Sequence, residues 1–161
     1  MNASNHSTTS FEEILNATGY LAYTNVGTSM MPLLRQGRDV MEIRRKGDER
    51  CKKYDAVLYK VHDRYILHRI LKVRENDYVI AGDHCFRKEY GITDHQILGV
   101  LTGVTRGRKH IRVTDIPYQC YVHLWCDLYP IRAGILYCKY QMKRVKGKLT
   151  RTIRKYIFKK N

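Results

Sequence analysis

Along the chain, apolar positions gather into short runs separated by charged turns. Residues 11–17 have helical spacing: Ile14 and Leu15 supply an apolar side, Ser10 caps the start with Glu13 reaching back, and Gly19 ends it. Residues 20–26 read as a strand, and residues 40–44 alternate Val40, Glu42 and Arg44 with Met41 and Ile43. Residues 55–61, 64–73, 78–81, 97–104 and 110–113 continue as short strands with charged connections. This spacing predicts a mostly β fold, a curved antiparallel β domain over residues 20–117 behind a helical lead-in at 1–19.

After Tyr118 the period changes. Ile131, Ile135, Cys138, Met142, Val145 and Leu149 recur at steps of four and three and continue to Ile153 and Tyr156, which predicts an amphipathic helix interrupted near Gly147. Lys139, Lys143, Lys146, Arg151, Arg154 and Lys155 fill much of its remainder, and no acidic residue follows Asp127. Residues 118–161 are therefore expected to form a basic helical tail. With Trp125, Tyr129 and Tyr137 it has the character of a helix on an anionic membrane; packing on its own domain or a second copy, and nucleic-acid binding, are the other readings.

Composition narrows the class. A chain of 161 residues with 43% hydrophobic content buries a real core, and its net charge of +15 calls for an anionic partner. Cys51, Cys85, Cys120, Cys126 and Cys138 are odd in number and lack C-x-x-C spacing, which points to reduced thiols in the cytoplasm and no structural zinc. The histidines lack metalloprotease spacing, so no metal or other cofactor is expected. Residues 1–10 lack the features of a secretory signal, and no stretch approaches the ~18 apolar residues that span a bilayer. The expectation is a cytoplasmic protein peripheral to the membrane.

The candidate chemistry centres on Thr24-Asn25-Val26-Gly27-Thr28-Ser29-Met30-Met31-Pro32. Gly27 permits a backbone closed to other residues and Pro32 restricts Met31, so Ser29 is held at a bend. Such a serine is either a turn-capping hydroxyl or a nucleophile. His68, in an apolar strand, is either a core histidine or a base; Asp83, after Gly82, either closes a turn or orients that base. Cys85, two residues on, reads as a partly buried thiol close to the same place.

Five boxes stand in order: Ser29-Met30-Met31-Pro32, Gly37-Arg38-Asp39-Val40, Tyr54-Asp55-Ala56-Val57, His68-Arg69-Ile70 and Gly82-Asp83-His84. Across residues 20 to 105 the chain resembles the signal peptidase I-like serine peptidases, a superfamily that also holds self-cleaving phage-type repressors, in its histidine-base branch. The resemblance implies a nucleophilic Ser29, a general base His68, an orienting Asp83 and an oxyanion donor in the Ser29 backbone N–H. Met30 and Leu33 by themselves read as core residues; the resemblance implies that they also line a pocket for small substrate side chains. Gly27, Pro32, Arg69 and Gly82 are supporting positions, with Arg69 expected to pair with Asp39 or Asp55. Lys72, four residues after His68, is the alternative base. Gly27 occupies the place where relatives carry a second hydroxyl donor, and Thr28 is a loose substitute.

Three functions follow. The first is a serine endopeptidase acting on a peptide or preprotein near a membrane surface. The second is a self-cleaving regulator, cut at Ala81-Gly82 or Ala133-Gly134, and the third a non-catalytic membrane or nucleic-acid binding protein.

Overall fold

The computed structural model describes residues 9–158, except for the side chains of Leu149 and of residues 152–158. Expectations placed on residues 1–8, and on the side chains of Leu149, Ile153, Arg154, Lys155 and Tyr156, lie outside the described residues. Helix α1 is Phe11–Thr18. Glu13 N–H donates to Ser10 Oγ (3.1 Å), Ser10 N–H donates to Glu13 Oε2 (2.8 Å), and Gly19 at φ +72° closes the last turn, as the capping signals require.

Eight strands follow: β1 Tyr20–Thr24, β2 Asp39–Arg45, β3 Ala56–Val61, β4 Arg64–Val73, β5 Tyr78–Ala81, β6 Glu89–Ile92, β7 Ile97–Arg106 and β8 Lys109–Arg112. They form one antiparallel sheet in the order β1-β2-β7-β3-β4-β5-β6, with β8 also on β7. Register shifts at Glu42/Ile43, Leu58/Tyr59, Ile70/Lys72 and Tyr78/Ile80 bend the strands.

Alternation within β3 shows how the sheet uses both faces. Ala56 and Leu58 join Leu15, Met30, Leu34, Ile43 and Leu101 in one core, whereas Val57 and Tyr59 join Ile70, Tyr78 and Ile80 in another. Helix α2, Ile116–Asp127, closes the first core with Tyr118, Val122 and Cys126. Helix α3, Tyr129–Phe158, follows directly. The helical segment is interrupted at Leu128, at φ −88° and ψ 17°, and α3 runs on through Gly147, where the sequence pattern predicts the interruption. Pro130 sets the interruption: it has no N–H to give Cys126 O, which accepts the Leu128 N–H instead, whereas one glycine in a long helix costs too little to end it. Among the described residues, no helix is long and apolar enough to cross a membrane.

Met30 is 1% exposed within this core. Met30→Ala is expected to cost about 2–5 kcal/mol in urea unfolding; a loss below about 1 kcal/mol contradicts its placement.

Candidate active site

Ser29 stands in the connection from β1 to β2. Gly27 has φ +98°, which favours glycine, and the Met31–Pro32 peptide is cis. The buried Asn25 side chain donates to Gly27 O (3.0 Å), while Gly37 N–H donates to Asn25 O (3.0 Å) and Asn25 N–H to Asp39 O (2.9 Å). Asp39, itself buried, accepts from Arg38, Arg106 and the Arg35 N–H. Burial raises the Asp39 carboxyl pKa, but these donors outweigh it and hold the group well below the usual carboxylate range.

The turn after β5 meets this connection. His84 N–H donates to Ser29 O (2.7 Å) and Cys85 N–H to Gly82 O (3.0 Å). A Cβ on Gly82 would lie 2.6 Å from Ser29 O, 2.8 Å from Cys85 Sγ and 3.0 Å from His68 Nε2. These three groups therefore surround one point, and only glycine leaves it open.

His68 reaches that point from β4. Its Nδ1 lies 2.8 Å from Glu89 Oε1 and 3.1 Å from the Tyr59 hydroxyl, which donates to Glu89 Oε2 at 2.6 Å. These partners assign the ring proton to Nδ1 and leave the Nε2 lone pair directed at the Gly82 turn. Burial lowers the His68 pKa, the Glu89 carboxylate partly opposes it, and the ring is neutral near pH 7. Burial and then Glu89 raise the Tyr59 pKa, so its hydroxyl keeps its proton.

Ser29, His68 and Glu89 line one cleft of about 550 Å³ whose walls mix apolar Phe11, Met41 and Leu58 with polar Asn25 and Arg64. Among the described residues no hydrogen bond joins Ser29 Oγ to His68, and the Ser29 N–H donates to no protein acceptor. Helix α1 both packs into the core through Leu15 and supplies Phe11 to the cleft, its rim held by the Lys60–Glu12 ion pair at 2.7 Å.

Asp83 occupies a different place from the one expected of an orienting acid. Its carboxylate accepts Arg69 Nε and Nη2, both at 2.8 Å, and the Tyr121 hydroxyl at 2.9 Å. Burial opposes the charge on Arg69, but Asp83 and then Tyr118 raise its pKa well above the usual value. The acid bonded to His68 is Glu89, and the partner of Arg69 is Asp83. Asp39 bonds the arginines named above, and Asp55 accepts the Lys52 N–H.

Three further expectations are corrected. Met30 and Leu33 are 1% and 8% exposed in the core and do not line the cleft. Lys72 is exposed and lines another cleft, with Leu71 and Tyr129, because the irregularity between Ile70 and Lys72 breaks the alternation that would keep it on the His68 side. Ala81, at the end of β5, is buried, and Ala133-Gly134 lies inside α3, so neither bond is presented as an exposed, extended segment. Among the described residues, no group of three His, Cys, Asp or Glu could hold a metal ion.

Glu89 carries the least sequence signal of the cleft residues. It opens a four-residue strand that contains Gly91 and shows no usable alternation; the only cue is an acid a few positions after the Gly82-Asp83-His84 box. No protein-family model matches the chain, and neither a curated protein nor a solved structure matches it.

The Arg69–Asp83 side chains are 0% and 2% exposed. Asp83→Asn, which strands a buried guanidinium, is expected to lose about 3–5 kcal/mol of unfolding free energy. Glu89→Gln, at a partly exposed position, is expected to lose less than about 1 kcal/mol. Equal losses would contradict this division between a structural and a cleft carboxylate.

Proposed function

We propose that the chain is a serine peptide hydrolase, resembling the signal peptidase I-like enzymes in fold type and chemistry. The observation that carries this reading is the opening of Ser29 and His68 onto one cleft, with the far nitrogen of His68 tied to Glu89. An extended peptide bound there brings its carbonyl carbon to Ser29 Oγ. As Oγ attacks, His68 Nε2 takes its proton, and Glu89 stabilises the imidazolium through Nδ1–H. The Ser29 backbone N–H donates to the developing oxyanion. His68 then passes the proton to the leaving amine. Water, deprotonated by the same nitrogen, hydrolyses the acyl-enzyme and regenerates the serine hydroxyl.

In this assignment Ser29 and His68 are catalytic residues and Glu89 is a positioning residue. Asp83 acts through the backbone: pairing with Arg69 fixes the turn whose His84 N–H holds the Ser29 carbonyl. Gly27 stands where some signal peptidase I-like enzymes place a second hydroxyl donor to the oxyanion, and it supplies no such hydroxyl. The wall residues offer a substrate segment apolar contacts from Phe11, Met41 and Leu58 beside the polar Asn25 and Arg64.

Turnover of a fluorogenic peptide library tests the proposal. Ser29→Ala is expected to abolish hydrolysis, on the order of 10⁶-fold, with folding intact. Glu89→Gln is expected to lower kcat/KM by about 10²–10⁴-fold. It also moves the acidic limb of the pH profile to lower pH, because the lost carboxylate favoured protonation of His68. Hydrolysis unchanged in Ser29→Ala contradicts the nucleophile; an acidic limb that stays in place or rises contradicts the role of Glu89.

A further inference from the structure

Helix α3 has two opposite faces with different fates. Tyr129 OH donates to Phe86 O (3.0 Å), and Arg132 donates to Asp83 O while its guanidinium lies 5.3 Å from the centre of the Trp125 ring. One and two turns further on, Tyr137 and Tyr140 meet the Phe86 ring at 5.6 and 5.4 Å. The start of this face is held by the turn beside the candidate active site, and Tyr137 and Tyr140, at 48% and 43% exposed, only rest against it.

The other face is bare. At ~100° per residue, Ile131, Ile135, Cys138, Met142 and Val145 fall within an arc of about 80°, centred opposite the docked tyrosines. Ile131, Ile135, Met142 and Val145 are 62%, 52%, 58% and 64% exposed, and Cys138 is exposed too. Before the interruption at Leu128, α2 carries its own exposed row of Ile116, Cys120 and Leu124, each four residues from the last. Apolar surface this long calls for a partner.

Charge selects among partners. The stripe has Lys139 and Lys146 on one flank and Gln141 and Lys148 on the other, and no acidic residue occurs in α3. Two copies laid seam to seam would oppose lysine with lysine, so the same charge that recruits an anion resists self-pairing. An acidic helix could meet the flanking lysines, but Lys143 and Arg144 point around the helix, beyond its reach. A flat anionic surface attracts those as well, because a helix ~10 Å across lies within about one Debye length of a bilayer it rests on.

We infer that the exposed stripe of α3 docks on an anionic lipid bilayer, seating Ile131, Ile135, Met142 and Val145 among the lipids with the basic residues at the headgroups. This surface is separate from the peptidase reading and does not depend on it. Because Arg132 and Tyr129 hold the opposite face of α3 to the Asp83–Phe86 turn, docking sets the cleft close to the membrane.

Co-sedimentation of the full chain with phosphatidylcholine vesicles containing a rising share of phosphatidylglycerol tests the inference. Binding is expected to rise with the anionic share, fall with salt, and weaken at least about tenfold in the double variant Ile135→Asp, Met142→Asp. Both replaced side chains are exposed, so circular dichroism of the variant should match the parent. The Ser29→Ala chain should bind like the parent, which separates this test from failure of the peptidase reading. Absence of binding, equal binding to neutral vesicles, or full binding by the double variant overturns the inference. So does light scattering that shows a stripe-dependent dimer without vesicle binding, or duplex DNA that displaces the vesicles.

Discussion

The hydrogen bond from His84 N–H to the Ser29 carbonyl is the constraint on which the candidate site depends. It joins two segments more than fifty residues apart, one between β1 and β2 and one after β5. Both are loops, and loops by themselves hold nothing to the tolerance that proton transfer demands. Gly82 makes the approach possible, since any Cβ there would run into the Ser29 carbonyl, Cys85 and His68 together. The serine loop is anchored from below by Asp39 and its arginines. The turn is anchored by a second buried carboxylate, Asp83.

That second anchor explains why the C-terminal helices cannot be treated as an appendage. A buried arginine–carboxylate pair is expensive to desolvate and is retained only when its remaining donors and acceptors are satisfied. Here α2 supplies Tyr118 to Arg69 and Tyr121 to Asp83, while Trp125 and Arg132 donate to the Asp83 carbonyl. The sheet, the turn and the helices therefore share one polar network. Ser29 and His68 look out from its edge, into a cleft that α1 narrows with Phe11.

Much of this was legible in residue patterns. The capping box at Ser10 and Glu13, the mostly β antiparallel arrangement and the meeting of Ser29 with His68 at one cleft follow from local signals: turn chemistry, period-two alternation and ordered boxes. Hidden were the features that depend on which strand lies beside which. Glu89 and Asp83 are both acids near a turn, and only the placement of β6 next to β5 shows which one reaches His68. Likewise a register irregularity, invisible in sequence, removes Lys72 from the side of His68, whereas the core placement of Met30 and Leu33 is the ordinary reading of apolar residues there. The interruption at Leu128 did have a signal, Pro130 two residues on, which the apolar repeat by itself passes over.

Geometry gives the carboxylates separate roles, with Asp39 and Asp83 building the loops and Glu89 serving the imidazole. The central claim is that Ser29 is activated by His68 across the Gly82 turn. Reaction of the full chain with a fluorophosphonate, followed by peptide mass spectrometry, tests it most directly. The account predicts a single covalent adduct on Ser29 that is lost in His68→Ala; no adduct on Ser29, or equal labelling without the histidine, would contradict it.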